Sequence, residues 1–313
     1  MNIRTADDVA ISHAATILRA GALVVMPTET VYGLAGDATN PTAVARIYAA
    51  KGRPSFNPLI SHILGVEDAA RHAVLHPVAR SLAERFWPGA LTLVAPRRSD
   101  SAICELACAG LASVALRAPA HPVARSLIAA AGTPLAAPSA NRSGRLSPTR
   151  AAHAAEDLGD AVELVLDAGA CGLGLESTVV AVSEAGQVTL LRPGAIAREE
   201  IEKHVGLLAA PDARSAPSSP GMLESHYAPR ARLVLDASTP VADGVHLGFG
   251  PRDLSAALNL SPRGDLVEAA ANLFAYLRKL DATGAPVISV SPIPQHGLGE
   301  AINDRLARAA VGR

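Results

Sequence analysis

The chain has 313 residues, of which 49% are hydrophobic and 18% are charged. At about 100 to 200 residues per domain this length predicts two domains, and the apolar fraction excludes a largely disordered chain. The 28 lysines and arginines nearly balance the 29 acidic residues. A bulk electrostatic nucleic-acid binder is therefore disfavoured, and any basic surface must be local.

Cysteine usage and hydropathy predict a cytoplasmic protein in a reducing compartment, with no membrane partner. Cys104, Cys108 and Cys171 are an odd number without C-x-x-C spacing, so neither a disulfide framework nor a zinc site is indicated. The opening sequence lacks a basic flank followed by an apolar run, and no stretch of about 18 residues is free of glycine, proline and charge.

The first 206 residues alternate between helical and strand patterns. Thr5 is expected to cap a helix that runs to Ile17, and a buried strand follows at 22–26. Asn40 and His76, each followed by proline, are expected to start further helices. Short apolar or alternating runs predict strands at 58–63, 91–95, 113–116, 134–137, 162–166, 178–182 and 188–191, and helices at 121–131, 148–158 and 197–205. This order predicts an α/β or α+β domain.

A proline- and serine-rich segment, PDARSAPSSP at 211–220, can continue neither a helix nor a central strand. We therefore predict a first domain at 1–206, a linker at 207–230 and a small α/β domain at 231–313. The second domain is expected to have strands at 233–235, 245–248 and 287–290 and helices at 266–280 and 298–310.

The familiar nucleotide and hydrolase motifs are absent from the sequence. There is no G-x-x-x-x-G-K-[ST] and no G-x-S-x-G, and Gly248-Phe249-Gly250 lacks the third glycine of a dinucleotide fingerprint. No H-E-x-x-H metal motif occurs. Any nucleotide site must therefore use another design.

Polar segments follow several of the predicted strands, where ligands collect in open α/β sheets. The first is PTETVYGLAG at 27–36, which could equally be a tight turn with locally bonded threonines. The loop with Lys51, Arg53 and Asn57 offers phosphate ligands, although a solvated loop charge is the commoner fate of K-x-R. Lys51 is one of only three lysines in the chain.

Arg117 ends an apolar, alternating strand that starts at Ser113, and it is costly there unless it meets an anion or a carboxylate. Ser139 and Asn141 follow another buried strand. Ser147 and Pro148 are expected to cap the helix at 148–158, whose N-terminus would suit phosphate, although an ordinary cap is the favoured interpretation.

These segments occur in an order that resembles the YrdC-like threonylcarbamoyl-AMP synthase family. The shared motifs are PTETVYGL at 27–34, K-x-R at 51–53 with Asn57-Pro58-Leu59, Trp87-Pro88-Gly89, Arg117-Ala-Pro, Ser139-Ala-Asn141, Glu176-Ser177-Thr178, Leu191-Arg192-Pro193-Gly194 and HYAP at 226–229. Each motif alone is weak, but the ordered set covers nearly the whole chain. The linker and second domain resemble the long, two-domain form of the family.

The resemblance implies a fold and a reaction. The expected fold is a twisted, open YrdC-like sheet with a concave basic cleft, followed by a small Rossmann-like C-terminal domain. The expected activity is synthesis of threonylcarbamoyl-AMP and pyrophosphate from L-threonine, bicarbonate or CO2, and ATP. Mg2+ is expected to accompany ATP without a protein-held metal site. The product would pass to the downstream machinery that modifies tRNA, and direct contact with tRNA is left open.

The resemblance also implies roles for individual residues. Those carried over for threonine are Thr30, His62, Arg117, Ala137 through its main chain, and Ser177. Those carried over for ATP are Arg53, Asn57, Ser113, Ser139, Ser147, Arg192 and Tyr227. Those expected beside the reacting phosphate, as the catalytic group, are Lys51, Arg53, Ser139 and Asn141. Ala137 departs from the family pattern, because related chains often carry Ser or Thr there, so only its main-chain contact is carried over.

Two other functions fit parts of the pattern. An RNA-binding module could use a basic cleft to hold a backbone, but overall neutrality and the scarcity of aromatic residues count against it. Carbamoyl transfer in metallocentre maturation resembles multi-domain proteins whose zinc-finger and acylphosphatase segments are missing from this sequence.

Overall fold

The computed structural model describes residues 2–211, 227–253 and 256–311. Ten described strands form one mixed, twisted sheet in the order β1-β8-β2-β3-β7-β4-β6-β5-β9-β10. These strands are β1 (Ile3–Thr5), β2 (Val24–Met26), β3 (Gly33–Asp37), β4 (Ile60–His62), β5 (Leu91–Pro96), β6 (Ser113–Arg117), β7 (Leu135–Ala136), β8 (Leu164–Asp167), β9 (Thr178–Val182) and β10 (Val188–Arg192). The predicted α/β class is confirmed.

The helices of this first unit pack on the sheet. They are α1 (Asp8–Arg19), α2 (Pro41–Lys51), α3 (Val66–Ala69), α4 (Pro77–Phe86), α5 (Pro122–Ala131), α6 (Ala151–Leu158) and α7 (Arg198–Val205). The predicted start of α2 is confirmed, since the Asn40 side chain accepts hydrogen bonds from two amides of the first turn. Gly52 ends the helix with a φ of 59°. This end places Lys51 in the last turn and releases Arg53 into the following loop.

Three local predictions are wrong. Thr5 lies in β1, paired with Asp167 of β8, and Asp7 caps α1 instead. The predicted loop at 27–36 ends early, because Gly33–Asp37 forms β3 against β2. Ser147 does not cap a helix: α6 begins at Ala151, and the Ser147 hydroxyl donates to a buried carboxylate. Tertiary hydrogen bonds override the local cap signal at both helix starts.

The second unit is a small, all-parallel sheet, as the Rossmann-like prediction requires. Its strands, in the order β11-β14-β12-β13, are β11 (Arg232–Val234), β12 (Gly244–Gly248), β13 (Leu258–Asn259) and β14 (Val287–Val290), and its helices are α8 (Leu266–Asp281) and α9 (Leu298–Ala310). The predicted linker at 207–230 lies mostly outside the described residues, as does His226. The exact domain boundaries stay a prediction. In the described ranges, no helix combines the length and apolar character needed to cross a bilayer.

A shared apolar cluster joins the two units. Val31, Leu146 and Leu175 from the first unit are buried in the same cluster as Leu273 and Phe274 of α8. Full burial of one such side chain stabilises a fold by about 1.5 to 3 kcal/mol. The second unit is therefore held against the first by hydrophobic packing at the segments that carry the polar motifs.

The closeness of this packing can be tested at Gly174, which has a φ of +72° and touches α8. An added Cβ would lie 2.5 Å from the Ala270 carbonyl oxygen and the Ala271 Cα. Gly174→Ala should therefore lower the free energy of unfolding, measured in urea, by about 1 to 2 kcal/mol for the left-handed backbone and about 1 to 3 kcal/mol more for the overlap.

Two other glycines provide matched controls. Gly169 has a φ of +83° with nothing near the added Cβ, so Gly169→Ala measures the backbone cost alone. Gly172 has open space and no left-handed backbone, so Gly172→Ala should change little. A Gly174→Ala protein as stable as Gly169→Ala would contradict close packing of α8 on this segment.

Candidate active site

The topology of the large sheet brings distant strand ends to one place. β4 and β6 run parallel, and their register sets His62 beside Arg117 at the carboxyl ends. Ser177 directly precedes β9, and Arg192 ends the antiparallel strand β10. The loop after β2 leads into Gly33, the first residue of β3, which forms a bridge with Ser139 in the segment after β7. A pocket forms where these six segments meet.

The pocket is a small cleft that is partly open to solvent. The predicted site residues that line it are Thr30, Arg53, His62, Arg117, Ala137, Ser139, Ser177, Arg192 and Tyr227. The predicted site residues outside its lining are Lys51, Asn57, Ser113, Asn141 and Ser147. The structure therefore brings most of the predicted set together around one space.

Arg117 anchors one end of the pocket. Its guanidinium donates to the Thr30 hydroxyl at 2.9 Å, to Glu29 Oε1 at 2.5 Å and to the Gly89 carbonyl oxygen at 3.1 Å. Burial would raise the pKa of Glu29, but the charge and hydrogen bond of Arg117 lower that pKa to about 2. The carboxylate required by a buried arginine is thus Glu29, which the sequence analysis did not single out. Its position inside the PTET motif was the available signal.

His62 is buried beside Arg117 and is neutral at pH 7. Burial, and then the charge of Arg117, lower the pKa of the His62 ring to about 3. Its Nδ1 has no hydrogen-bond partner among the described residues. The ring can therefore offer a ligand a neutral donor or acceptor. The Ala137 amide donates to Ile60, at 3.0 Å, so a main-chain contact at Ala137 falls to its carbonyl oxygen.

Two further arginines face the other end of the pocket. Arg53 is held by the carbonyl oxygens of Asn57 at 3.3 Å and Pro58 at 3.0 Å. Burial lowers the pKa of Arg53 to about 10, so it stays cationic at neutral pH. Arg192 Nη2 donates to the Ser177 carbonyl oxygen at 2.7 Å. Both guanidinium groups are fixed by main-chain acceptors, and this end of the pocket suits an anion.

Lys51 and Asn141 support the loop that carries Ser139. Lys51 Nζ donates to the carbonyl oxygens of Ser139 and Asn141, both at 2.5 Å. The Asn141 amide donates to the carbonyl oxygens of Arg142 and Arg145, each at 2.9 Å. Burial, followed by the charge of Arg53, lowers the pKa of Lys51 well below its usual value. Lys51 therefore lies beneath the pocket wall and holds its backbone.

Ser113 and Asn57 lie beyond the pocket proper. Ser113 shares a face of β6 with Arg117 but stands four residues away, roughly 13 Å along the strand. An apolar patch that includes Ile60 and Ala115 lies between the two ends. Asn57 is fully buried, and its amide nitrogen and oxygen have no partner among the described residues. A flat, weakly polar group could lie over this face and meet Asn57 and Ser113.

Tyr227 and Glu176 close the pocket on the side of the second unit. The Tyr227 ring stacks on Phe274 of α8, with 5.5 Å between ring centroids and 30° between planes. Glu176 accepts hydrogen bonds from the Ser147 hydroxyl and from Arg305 of α9. Sequence reasoning missed Arg305, because one arginine in an amphipathic helix gives no signal of its buried partner.

The pocket offers little to a divalent cation. Glu176 is the one carboxylate among its described lining residues, and its two oxygens are hydrogen-bonded to Ser147 and Arg305. No cluster of three histidine, cysteine or acidic side chains suited to a metal occurs in the described ranges. Phosphate oxygens and water would have to supply the ligands of any Mg2+ here.

Comparison with known families assigns both halves of the chain. Residues 16–194 match the Sua5_yciO_yrdC family model, described as telomere recombination, and residues 196–311 match the family described as threonylcarbamoyl-AMP synthase, C-terminal domain. Because the first match alone covers more than half of the chain, the protein belongs to the Sua5/YciO/YrdC family, in the long form that carries both domains.

Full-length relatives agree with this assignment. The threonylcarbamoyl-AMP synthase of Bacillus subtilis is 40% identical, over 98% of this chain and 94% of its own length. That of Pyrococcus abyssi is 41% identical, over 95% of this chain and 93% of its own length. The crystal structure of P. abyssi Sua5 complexed with L-threonine superposes with a TM-score of 0.88 and 38% identity, covering 99% of this chain and 96% of that one.

The buried, neutral His62 predicts a pH dependence of stability. In the unfolded chain this histidine takes up a proton near pH 6.5, whereas the folded protein resists protonation down to about pH 3. The free energy of unfolding should therefore fall as pH drops between these values, by up to about 1.4 kcal/mol per pH unit from this group. His62→Gln should remove that part of the slope in urea unfolding measured from pH 7 to pH 4.

His13→Gln is the matched control, because His13 is exposed on α1. It should leave the dependence on pH close to that of the unmodified protein. If His62→Gln and the unmodified protein lose stability equally steeply below pH 6.5, His62 does not stay neutral on folding.

Proposed function

We propose that this protein is a threonylcarbamoyl-AMP synthase that binds L-threonine and ATP side by side in the pocket. The observation that carries the proposal is the meeting of three buried arginines, Arg53, Arg117 and Arg192, around one space with hydroxyl side chains between them. Such a pocket suits two anionic groups, an amino-acid carboxylate and a phosphate chain. The family assignment and the threonine-bound relative support the same reaction.

The reaction joins three small molecules. The threonine amine loses a proton and forms a C–N bond with CO2, which gives a carbamate. If bicarbonate is the carbon source, the same C–N bond forms while a C–O bond of bicarbonate breaks and water leaves. A carbamate oxygen then attacks the α-phosphorus of ATP, and the bond to pyrophosphate breaks. Because the carbamate and the triphosphate are both anionic, positioning and cation placement should supply most of the rate enhancement.

We assign threonine to the end of the pocket around Arg117, which we call the threonine half. Arg117 would bind the carboxylate, held in place by Thr30 and Glu29. His62, the Ala137 carbonyl oxygen and Ser177 would contact the remaining polar groups. Ser177 accepts from Arg192, so this hydroxyl lies between the two halves.

We assign ATP to the end around Arg53 and Arg192, the nucleotide half. Arg53, Ser139 and Arg192 would meet the phosphates, and the apolar face that leads toward Asn57 and Ser113 would carry the base. Ser147 acts through its hydrogen bond to Glu176. In the proposed catalytic group, Arg53 and Ser139 line the pocket, while Lys51 and Asn141 hold the Ser139 loop.

The remaining parts of the proposal follow from the reaction. Mg2+ would arrive with the nucleotide, bound by phosphates and water. The product would pass to enzymes that transfer the threonylcarbamoyl group to tRNA, and a cytoplasmic location would place the enzyme with both ATP and tRNA. The RNA-binding alternative is disfavoured. Arg53, Arg117 and Arg192 expose only 8%, 4% and 4% of their surface, so they cannot bind the phosphate backbone of an RNA strand on the protein surface.

Mass spectrometry tests the activity directly. The purified chain, incubated with L-threonine, bicarbonate, ATP and Mg2+, should yield threonylcarbamoyl-AMP with one pyrophosphate per product. Reactions without threonine or without bicarbonate provide the controls. Salt-sensitive tRNA binding in a protein that forms no such product would refute the synthase assignment.

The two halves predict separate kinetic defects. Arg117→Ala should lower kcat/KM for threonine, and Arg53→Ala should lower kcat/KM for ATP, each by about 30- to 1,000-fold, the effect of about 2 to 4 kcal/mol of lost charge stabilisation. Lys51→Ala should lose pyrophosphate release as well, because it frees the Ser139 loop. Arg71→Ala, at an arginine whose side chain is 75% exposed, is the control. Full activity in Lys51→Ala and Arg53→Ala would contradict the catalytic assignment.

A further inference from the structure

Arg305 of the second domain reaches the wall of the pocket in the first. Only 1% of its side chain is exposed. Its Nε donates to Glu176 Oε2 at 2.8 Å, and its Nη2 donates to the Pro193 carbonyl oxygen at 3.0 Å. Both acceptors belong to the first domain, and Glu176 lines the pocket. The second domain therefore contributes a buried charge directly behind the nucleotide half.

The Glu176 carboxylate needs this partner. Burial would raise the pKa of Glu176, but the charges of Arg305 and then Arg192 lower it to about 2, so the group is ionised at neutral pH. An ionised carboxylate left unpaired in this wall would repel a triphosphate and would be costly to bury. Arg305 supplies a cationic partner for this carboxylate, which also accepts the hydrogen bond from Ser147, while its Nη1 donates to Asp304 of α9 at 2.5 Å.

Arg305 also flanks the aromatic side of the pocket. Its guanidinium carbon lies 5.2 Å from the centroid of the Tyr227 ring, and Phe274 stacks against the same ring. A cation over a ring within about 6 Å is attracted by the ring quadrupole. Tyr227 is thus held by two side chains of the second domain.

The threonine half has a different set of supports. Arg117 is fixed by Thr30, Glu29 and Gly89, all of the first domain. His62 lies on β4, in the large sheet. Substitutions at Arg305 should therefore change the affinity for ATP more than the affinity for threonine.

We propose that Arg305 is a positioning residue through which the second domain sets the affinity for ATP, by neutralising Glu176 and ordering Tyr227. This inference rests on the proposed function. It also gives the second domain a defined task, since the nucleotide half is incomplete without α9.

The test is a comparison of KM values for the two substrates in the full-length protein. Arg305→Met should raise the KM for ATP by about tenfold or more, equivalent to at least about 1.4 kcal/mol, and leave the KM for threonine within about twofold. Arg305→Lys should give a smaller rise, because lysine can pair with Glu176 but cannot also reach Pro193 in the same planar geometry. Arg305→Met/Glu176→Gln should bind ATP more tightly than Arg305→Met, because the unpaired carboxylate is gone.

Glu300→Gln is the matched control. Glu300 is also on α9 and also pairs across the domains, with Arg198 at 2.5 Å, but it lies outside the pocket lining. It should leave both KM values unchanged. If Arg305→Met does not fold, Arg305→Lys and the double variant still report on the nucleotide half.

The outcomes separate this inference from the proposed function. Absence of threonylcarbamoyl-AMP from the unmodified protein would defeat the function itself. An active protein in which Arg305→Met raises both KM values equally, or in which Glu300→Gln reproduces its effect, would overturn the positioning role. If Arg305→Met/Glu176→Gln binds ATP no more tightly than Arg305→Met, repulsion by the Glu176 carboxylate is not the cause of the defect.

Discussion

Arg53, Arg117 and Arg192 are buried around one pocket, and the structure must offset the loss of their hydration. Moving a charge out of water costs several kcal/mol even after relaxation. Arg117 is offset by the Glu29 carboxylate, whereas main-chain carbonyl oxygens hold Arg53 and Arg192. Carbonyl dipoles offset a cation less fully than a carboxylate does.

The same constraint explains why polar supports cluster behind the pocket. Lys51 fixes the Ser139 loop through two carbonyl oxygens, and Asn141 fixes the next turn. Each pairs a buried side-chain nitrogen with main-chain carbonyl oxygens. Lys51 thus acts as a clamp in the described structure, while Arg53 faces the ligand space. Lys51 and Arg53 are separated by one glycine, yet Lys51 lies beneath the pocket wall and Arg53 lines the pocket.

Domain packing and site geometry are coupled along the chain. The first-domain residues buried against the second domain, Val31, Leu146 and Leu175, directly adjoin Thr30, Ser147 and Glu176. Hydrophobic burial of one residue therefore sets the position of its polar neighbour. The second domain adds Phe274 and Arg305 around Tyr227, so the pocket wall is shared between the two units.

The amino-acid sequence alone determined the α/β class, α2 with its Asn40 cap and Gly52 stop, and most members of the site. Those features depend on local periodicity, on proline and glycine, and on motifs that are short in sequence. It predicted helix caps at Ser147 and Thr5 that are wrong, because a buried carboxylate and a strand pairing competed with the local signals. Only the tertiary structure assigned Glu29 to Arg117 and Arg305 to Glu176, since partners 88 and 129 residues apart are chosen by chain topology and burial.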